Sequence, residues 1–288
     1  MTTSYLRPTT LDEALAALAT TPTARVLAGG TDWMIPARAG AVPDALINIF
    51  RVEQLRSIRR TGDALELGAC VTVAQLLKSK DVLQAAPVLW KAADRFASPL
   101  VRSRATLGGN LCNASPAADL SLALLACDAT VTLASKGGRR SLTVEELVLG
   151  PRKTALGPGE LLVGVRVPIR AGQVSRFEKS GPRPALEISA AAVAFTATVE
   201  GGRLTGVRIA CGAVAPVPMR AKKAEALVEG RALDPALIEA AVEAAAGEVT
   251  PIDDVRATAR YRRRLVAAYV RRCLEACTDD RRLHAAAS

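Results

Sequence analysis

Two glycine pairs, each beside a hydroxyl and behind an apolar residue, constrain this chain more than anything else in it. The first lies in Leu27-Ala28-Gly29-Gly30-Thr31-Asp32. The residues Arg25 to Ala28 read as a short buried strand leading into it. Glycines let backbone N–H groups come close to a phosphate and take conformations that other residues avoid. Successive N–H groups in such a turn form an anion-binding concavity, and Thr31 adds a hydroxyl donor. Alone, the segment reads equally well as an ordinary tight turn. The second pair lies in Thr106-Leu107-Gly108-Gly109-Asn110-Leu111-Cys112-Asn113-Ala114-Ser115-Pro116-Ala117-Ala118-Asp119. Here Asn110 and Asn113 offer amide donors and Ser115 a hydroxyl. Asp119, acceptor-only when ionised, suits a ribose or ribityl hydroxyl. Arg102 and Arg104, just upstream, either help to neutralise a diphosphate or sit on the surface. The plainer alternative is a loop before a helix, with Asp119 as a cap near Leu120. The density of small and polar residues makes that alternative less attractive.

The common catalytic signatures are missing. No G-x-G-x-x-G follows a strand, and there is no Walker loop, G-x-S-x-G or H-E-x-x-H. The single histidine, His284, lies near the C-terminus, which speaks against a Ser–His–Asp triad. The six cysteines contain no C-x-x-C pair. The closest two, Cys273 and Cys277, are four apart on an expected helix. Reduced cysteines used as small apolar residues are the simpler reading than a zinc or iron–sulfur site.

The net charge of +10 raises the question of nucleic acid. Many arginines come late, among them Arg256, Arg260, Arg262, Arg263, Arg264, Arg271, Arg272, Arg281 and Arg282. Against that partner, aromatics are 3% of residues, so stacking platforms for single strands are scarce. A solvated helix face or a protein interface fits the arginines better. No apolar run is long enough to span a bilayer. Met1 to Thr10 lacks a basic region followed by an apolar one. The expectation is therefore a cytoplasmic protein with no membrane span.

Periodicity and turn signals outline the organisation. Thr10 and Glu13 form a capping box for a helix to about Leu18. Strands are expected at 25–28, 45–49, 64–67 and 161–167, the last ended by Pro168. Helices are expected from Thr72 to about Lys78, from Val82 to Phe96 with a break near Pro87, and at 120–126. Thr130 to Ala134 begins a hairpin turning at 136–139. Beyond about residue 170, Ile188–Val199 and Arg203–Ala213 flank Gly201-Gly202 as a long antiparallel hairpin. Helical patterns follow near 220–228, 235–246 and 254–277. The shift from mixed α/β to hairpin plus helices predicts two domains, 1–170 and 171–288, with a break inside the first near 55–62.

Taken together, "AGGTD" at 28–32 and "TLGGNLCNASPAAD" at 106–119 resemble the FAD-binding subunit, or middle domain, of the molybdenum hydroxylases. That family includes xanthine dehydrogenase and aerobic carbon monoxide dehydrogenase. The likeness covers nearly the whole chain. "RKTALGPGELLVGVRVP" at 152–168 resembles the segment closing the flavin domain, and "YRRRLVAAYVRR" at 261–272 the terminal helix.

The resemblance implies an α+β protein. Its first domain is a PCMH-type, vanillyl-alcohol-oxidase-like FAD-binding domain of two α/β subdomains. A small C-terminal α+β domain of a three-stranded antiparallel sheet with helices follows. Carried over by position, Leu27, Ala28, Gly29, Gly30, Thr31, Asp32, Trp33 and Met34 wrap the diphosphate. Thr106, Leu107, Gly108, Gly109 and Asn110 grip it from the other side. Ser115 belongs to the same loop, and Asp119 bonds the sugar or ribityl chain. Phe96, Leu162 and Lys179 match further cofactor contacts. Read without the family, Phe96 and Leu162 are core residues and Lys179 a solvated lysine. No residue of this chain is implied as a catalytic acid, base or nucleophile, and none as a metal ligand.

The implied role is electron relay. Substrate is hydroxylated at a molybdenum centre in a large molybdopterin-binding subunit. Electrons pass through [2Fe–2S] clusters in a small subunit to FAD here, then to NAD⁺ or another acceptor. The assembly expected is a dimer of heterotrimers. The cysteine-rich insertion of benzoyl-CoA reductase-type members is absent. The ferredoxin and molybdopterin domains that eukaryotic xanthine dehydrogenase fuses to this module are expected on separate chains. Two other readings stay open: a stand-alone flavin-dependent reductase of the same fold, and a basic nucleic-acid-binding protein. On the favoured reading, Gly108→Asp abolishes FAD retention while leaving the protein folded.

Overall fold

The computed structural model describes residues 4–21, 23–40, 43–181 and 188–285. The side chains of Arg281, Arg282 and His284 lie outside that description.

The chain opens with a small parallel sheet in the order Ser4–Leu6, Ala45–Asn48, Arg25–Leu27. The Leu11–Thr20 helix starts where predicted, because the Thr10 hydroxyl accepts from the Glu13 amide and the Glu13 carboxylate accepts from the Thr10 amide. Leu11, Ala14, Leu15 and Leu18 form its buried stripe. The short Met34–Arg38 helix follows the first glycine pair.

A second, antiparallel sheet begins at Ile58. Its order is Ile58–Thr61, Ala64–Gly68, Leu161–Pro168, Thr130–Ser135, Gly138–Thr143. The late strand Leu161–Pro168 returns to its centre, so residues a hundred apart in sequence share one wall. Helices Val73–Lys78, Pro87–Asp94, Leu107–Asn113 and Asp119–Ala126 pack with this sheet in a common core. Every residue of Asp119–Ala126 is buried. Such a helix needs cover on all sides, and the C-terminal domain supplies it.

That domain carries the strands Gln173–Ser180, Ala191–Glu200 and Arg203–Gly212, joined by the two-residue strand Met219–Arg220. Alternation along the middle strand explains its apolar run. Ala192 and Ala194 face the first domain's core, while Ala191, Val193 and Phe195 face the C-terminal helices. Those helices are Lys222–Val228, Pro235–Glu248 and Ala259–Ala285. The last starts later than residue 254. The Asp254 carboxylate accepts from the amides of Arg256 and Ala257 and from the buried Arg262, which holds 254–257 in a turn. No described helix is long and apolar enough to cross a membrane.

Polar contacts fasten the two domains as well. The Thr196 hydroxyl donates to the Ala126 carbonyl at 2.7 Å, and Lys91 reaches the Ser175 carbonyl at 2.9 Å. Asp128 gathers Arg170, Arg208 and Arg220. Burial alone would raise its carboxyl, but the bonds from Arg208 and Arg170 hold it below the ordinary value.

Candidate functional site

The two glycine pairs face each other across one cavity of about 480 Å³, within the ~300–1,000 Å³ typical of small-molecule clefts. Leu27, Ala28, Gly29, Gly30, Thr31, Asp32 and Trp33 form one wall. Thr106, Gly108, Gly109 and Asn110 form the other, and Phe96 and Leu162 complete the lining from a helix end and a sheet strand. Met34 borders an adjoining, more open cavity of about 430 Å³ shared with Gly29, Gly30, Arg38 and Arg104.

The first loop is chemically open. Gly30 takes φ +78°, which turns the chain into the Met34–Arg38 helix, and the Met34 amide donates to the Gly30 carbonyl at 3.0 Å. Among the described residues, the amides of Gly29, Gly30, Thr31, Asp32 and Trp33 donate to no protein acceptor. Five successive free N–H groups on a cavity wall are what a diphosphate needs from a backbone. Cations surround them: Arg25 lies 4.2 Å over the Trp33 ring, and Arg104 lies 4.2 Å over Phe50.

The second loop is chemically closed. It folds as the Leu107–Asn113 helix, with the Thr106 hydroxyl accepting from the Gly109 amide at 3.1 Å. Its other leading amides are also committed. Leu107 donates to the Val71 carbonyl, Gly108 to Ala69 and Asn110 to Thr106, at 2.9, 2.8 and 3.0 Å. Local propensity does not predict this helix, because glycine is a poor helix former; pairing with residues 69–73 holds it. Among the groups this loop presents to the cavity are the exposed Gly109 and the side chains of Asn110 and Asn113. Asn110 accepts from the Ser121 amide and hydroxyl, leaving its own amide nitrogen for a ligand.

Close packing explains both glycine pairs further. A Cβ on Gly29 would stand 1.9 Å from the Arg104 carbonyl oxygen, so the first loop lies directly on the backbone leading to the second. A Cβ on Gly108 would stand 2.8 Å from the Ala69 Cβ and 2.9 Å from the Ala69 oxygen, at a buried position on the cavity wall. The expectation that Gly108→Asp leaves the protein folded is therefore corrected: a side chain there collides at its first carbon with Ala69, including the Ala69 backbone.

Four expected residues line neither cavity. Leu107 is a core side chain. The Ser115 hydroxyl accepts from the Ala117 amide at 3.3 Å, closing a turn. Asp119 and Lys179 meet each other, with Lys179 Nζ donating to the carboxylate at 2.6 Å and Ser189 Oγ at 2.8 Å. Burial raises the Asp119 carboxyl above its ordinary value, against the pull of Lys179 and Ser189. The pair joins the second loop's outgoing helix to the C-terminal domain. Arg102 likewise turns inward, donating to the Phe96 and Asp94 carbonyls.

Sequence reasoning missed several lining residues. Ile49, Ala69, Leu156, Glu160 and Ile188 reach the cavity from four separate segments. Glu160 is held by Arg140 through bonds of 2.6 and 2.7 Å and by the Gly157 amide at 2.6 Å. These bring its carboxyl down to about 2. The six cysteines form no disulfide among the described residues. Five are buried and Cys112 faces the cavity; burial pushes the Cys127 thiol up to about 12.

Known proteins resemble this chain in sequence and fold. The family described as "FAD binding domain in molybdopterin dehydrogenase" matches residues 1–170, and "CO dehydrogenase flavoprotein C-terminal domain" matches 176–277. The chain is 31% identical over 276 residues to the nicotine 6-hydroxylase medium subunit of Paenarthrobacter nicotinovorans, spanning 94% of this chain and 95% of that one. It is 30% identical to a xanthine dehydrogenase FAD-binding subunit of Escherichia coli, spanning 94% of each. A chain of carbon monoxide dehydrogenase from Hydrogenophaga pseudoflava, in a form lacking the Mo-pyranopterin moiety, matches with TM-score 0.91 and 32% identity. That match covers 97% of this chain and 98% of the other.

Proposed function

Because this chain belongs to the FAD-binding subunits of the molybdopterin dehydrogenases, we propose that it holds FAD between its two loops and relays electrons within a larger oxidoreductase. The observation carrying this reading is the row of free amides from Gly29 to Trp33 on a cavity wall. They would bind the diphosphate, with Thr31 and the asparagine side chains as further donors. Phe96 and Leu162 give the apolar surface that a flavin ring requires. When bound, FAD supplies the redox chemistry.

The work of the chain's own residues is to bind, orient and exclude water. No general acid or base is needed for that task, and the described residues lining the cavity include no histidine. In the proposed assembly, substrate is hydroxylated at a molybdenum centre in a large partner chain. The FAD held by this chain would there take electrons from [2Fe–2S] clusters of a small partner chain and pass them to NAD⁺ or another acceptor. A dimer of such heterotrimers is the proposed complete form. Asp119 and Lys179 would serve the site from behind, fixing the second loop against the C-terminal domain.

The purified chain should be yellow and release equimolar FAD on denaturation. Rapid mixing with the holoenzyme's substrate should bleach the flavin only when both partner chains are present. A colourless protein that fails to take up FAD contradicts the binding reading. Flavin reduction by that substrate in the isolated chain contradicts the relay.

A further inference from the structure

Arg152 stands outside both cavities yet touches both loops. It sits in the turn between strands Val148–Gly150 and Lys153–Thr154, in the left-handed region at φ +58°. Its amide donates to the Ala114 carbonyl at 3.0 Å. Ala114, at φ +46°, is itself left-handed and caps the helix of the second loop. Two non-glycine residues in that conformation, joined by one hydrogen bond, mark a turn held in place by its surroundings. From this anchor the guanidinium reaches a residue of each loop. Nη1 donates to Asn113 Oδ1 at 3.0 Å and to Asp32 Oδ2 at 3.2 Å.

Asp32 poses the problem that this contact answers. It is the one carboxylate on the first loop, beside five amides that favour an anion. Left alone, its charge would oppose the dinucleotide's phosphates over the same few ångströms. An aspartate held by an arginine presents no net charge there, and an arginine pinned to the second loop also fixes where the first loop stops. We infer that Arg152 is a positioning residue of the dinucleotide site, acting through Asp32 by cancelling its charge and tethering its loop. This inference rests on the FAD reading above.

The test compares FAD dissociation constants and release rates for wild type, Arg152→Ala, Asp32→Asn and the double variant. Thermal unfolding without FAD is recorded alongside. The side chains of Arg152 and Asp32 are 69% and 48% exposed, so folding should be spared. Arg152→Ala should weaken FAD about fivefold, chiefly through faster release, the scale of losing one exposed charge pair. The loss should shrink at high salt and largely vanish in the Asp32→Asn background, where the charge is already gone. Arg152→Lys should recover part of the affinity. Wild-type affinity in Arg152→Ala, or an equal loss in both backgrounds, overturns the inference. Wild-type protein that holds no FAD overturns the reading beneath it.

Discussion

The two glycine loops share a sequence grammar and divide the work. Each sets a glycine pair beside a threonine, and each pair was expected to offer its backbone to an anion. In the first loop amides 29–33 have no protein acceptor among the described residues, which leaves them available to a ligand. In the second, the leading amides are spent on Val71, Ala69 and Thr106, and Gly108 is wedged against Ala69. The first loop lies at the edge of a three-stranded sheet, whereas the second is built into the main core. A glycine pair therefore has two uses: leaving amides free for a ligand, and letting backbone approach backbone. Only the packing around it decides which.

Substitutions at the two loops should separate those uses. Gly108→Asp carries the largest expected effect. Overpacking plus a buried, unpaired carboxylate should cost about 3 kcal/mol or more, lowering the FAD-free melting temperature by roughly 10 °C. Gly29→Ala comes next. Its Cβ has no room against the Arg104 carbonyl, so the first loop must lift away. FAD affinity should fall about tenfold, equivalent to ~1.4 kcal/mol, with little change in FAD-free melting. If Gly29→Ala melts the protein as severely as Gly108→Asp, the division fails.

Acidification should give the smallest effect, and it concerns the wall between the loops. Glu160 ionises at about 2 in the folded protein, against an ordinary 4.5. A depressed carboxyl stabilises the fold above the unfolded value and stops doing so as pH falls through the folded one. The contribution of Glu160 is thus present above about pH 4.5 and fades toward pH 2. Urea unfolding across that window should steepen with acid in wild type and less so in Arg140→Ala. Identical profiles would mean that the Arg140 contact does not hold Glu160.

Much of this was legible in the sequence. The stretch from Thr106 to Asp119 pointed to the family, and Thr10 with Glu13 fixed the first helix start. The resemblance implied cofactor contacts at Phe96 and Leu162, and both side chains line the cavity. What stayed hidden depends on contacts distant in sequence. The helix at Leu107–Asn113 contradicts local propensity and is held by residues 69–73. Arg152 meets Asp32 across 120 positions, so no local pattern could announce the bridge. The resemblance implies Asp119 and Lys179 one by one, while their pairing depends on the C-terminal strand Gln173–Ser180, which periodicity does not reveal.

Hydrogen exchange resolved to single amides, with and without FAD, tests the division most directly. Buried, bonded amides exchange slowly, and free ones exchange fast until a ligand covers them. Amides 29–33 should exchange rapidly in the FAD-free protein and slow markedly on FAD addition, while 107–110 should already be slow and change little. Protection gained at 107–110 with none at 29–33 would contradict the account and return the diphosphate to the second loop.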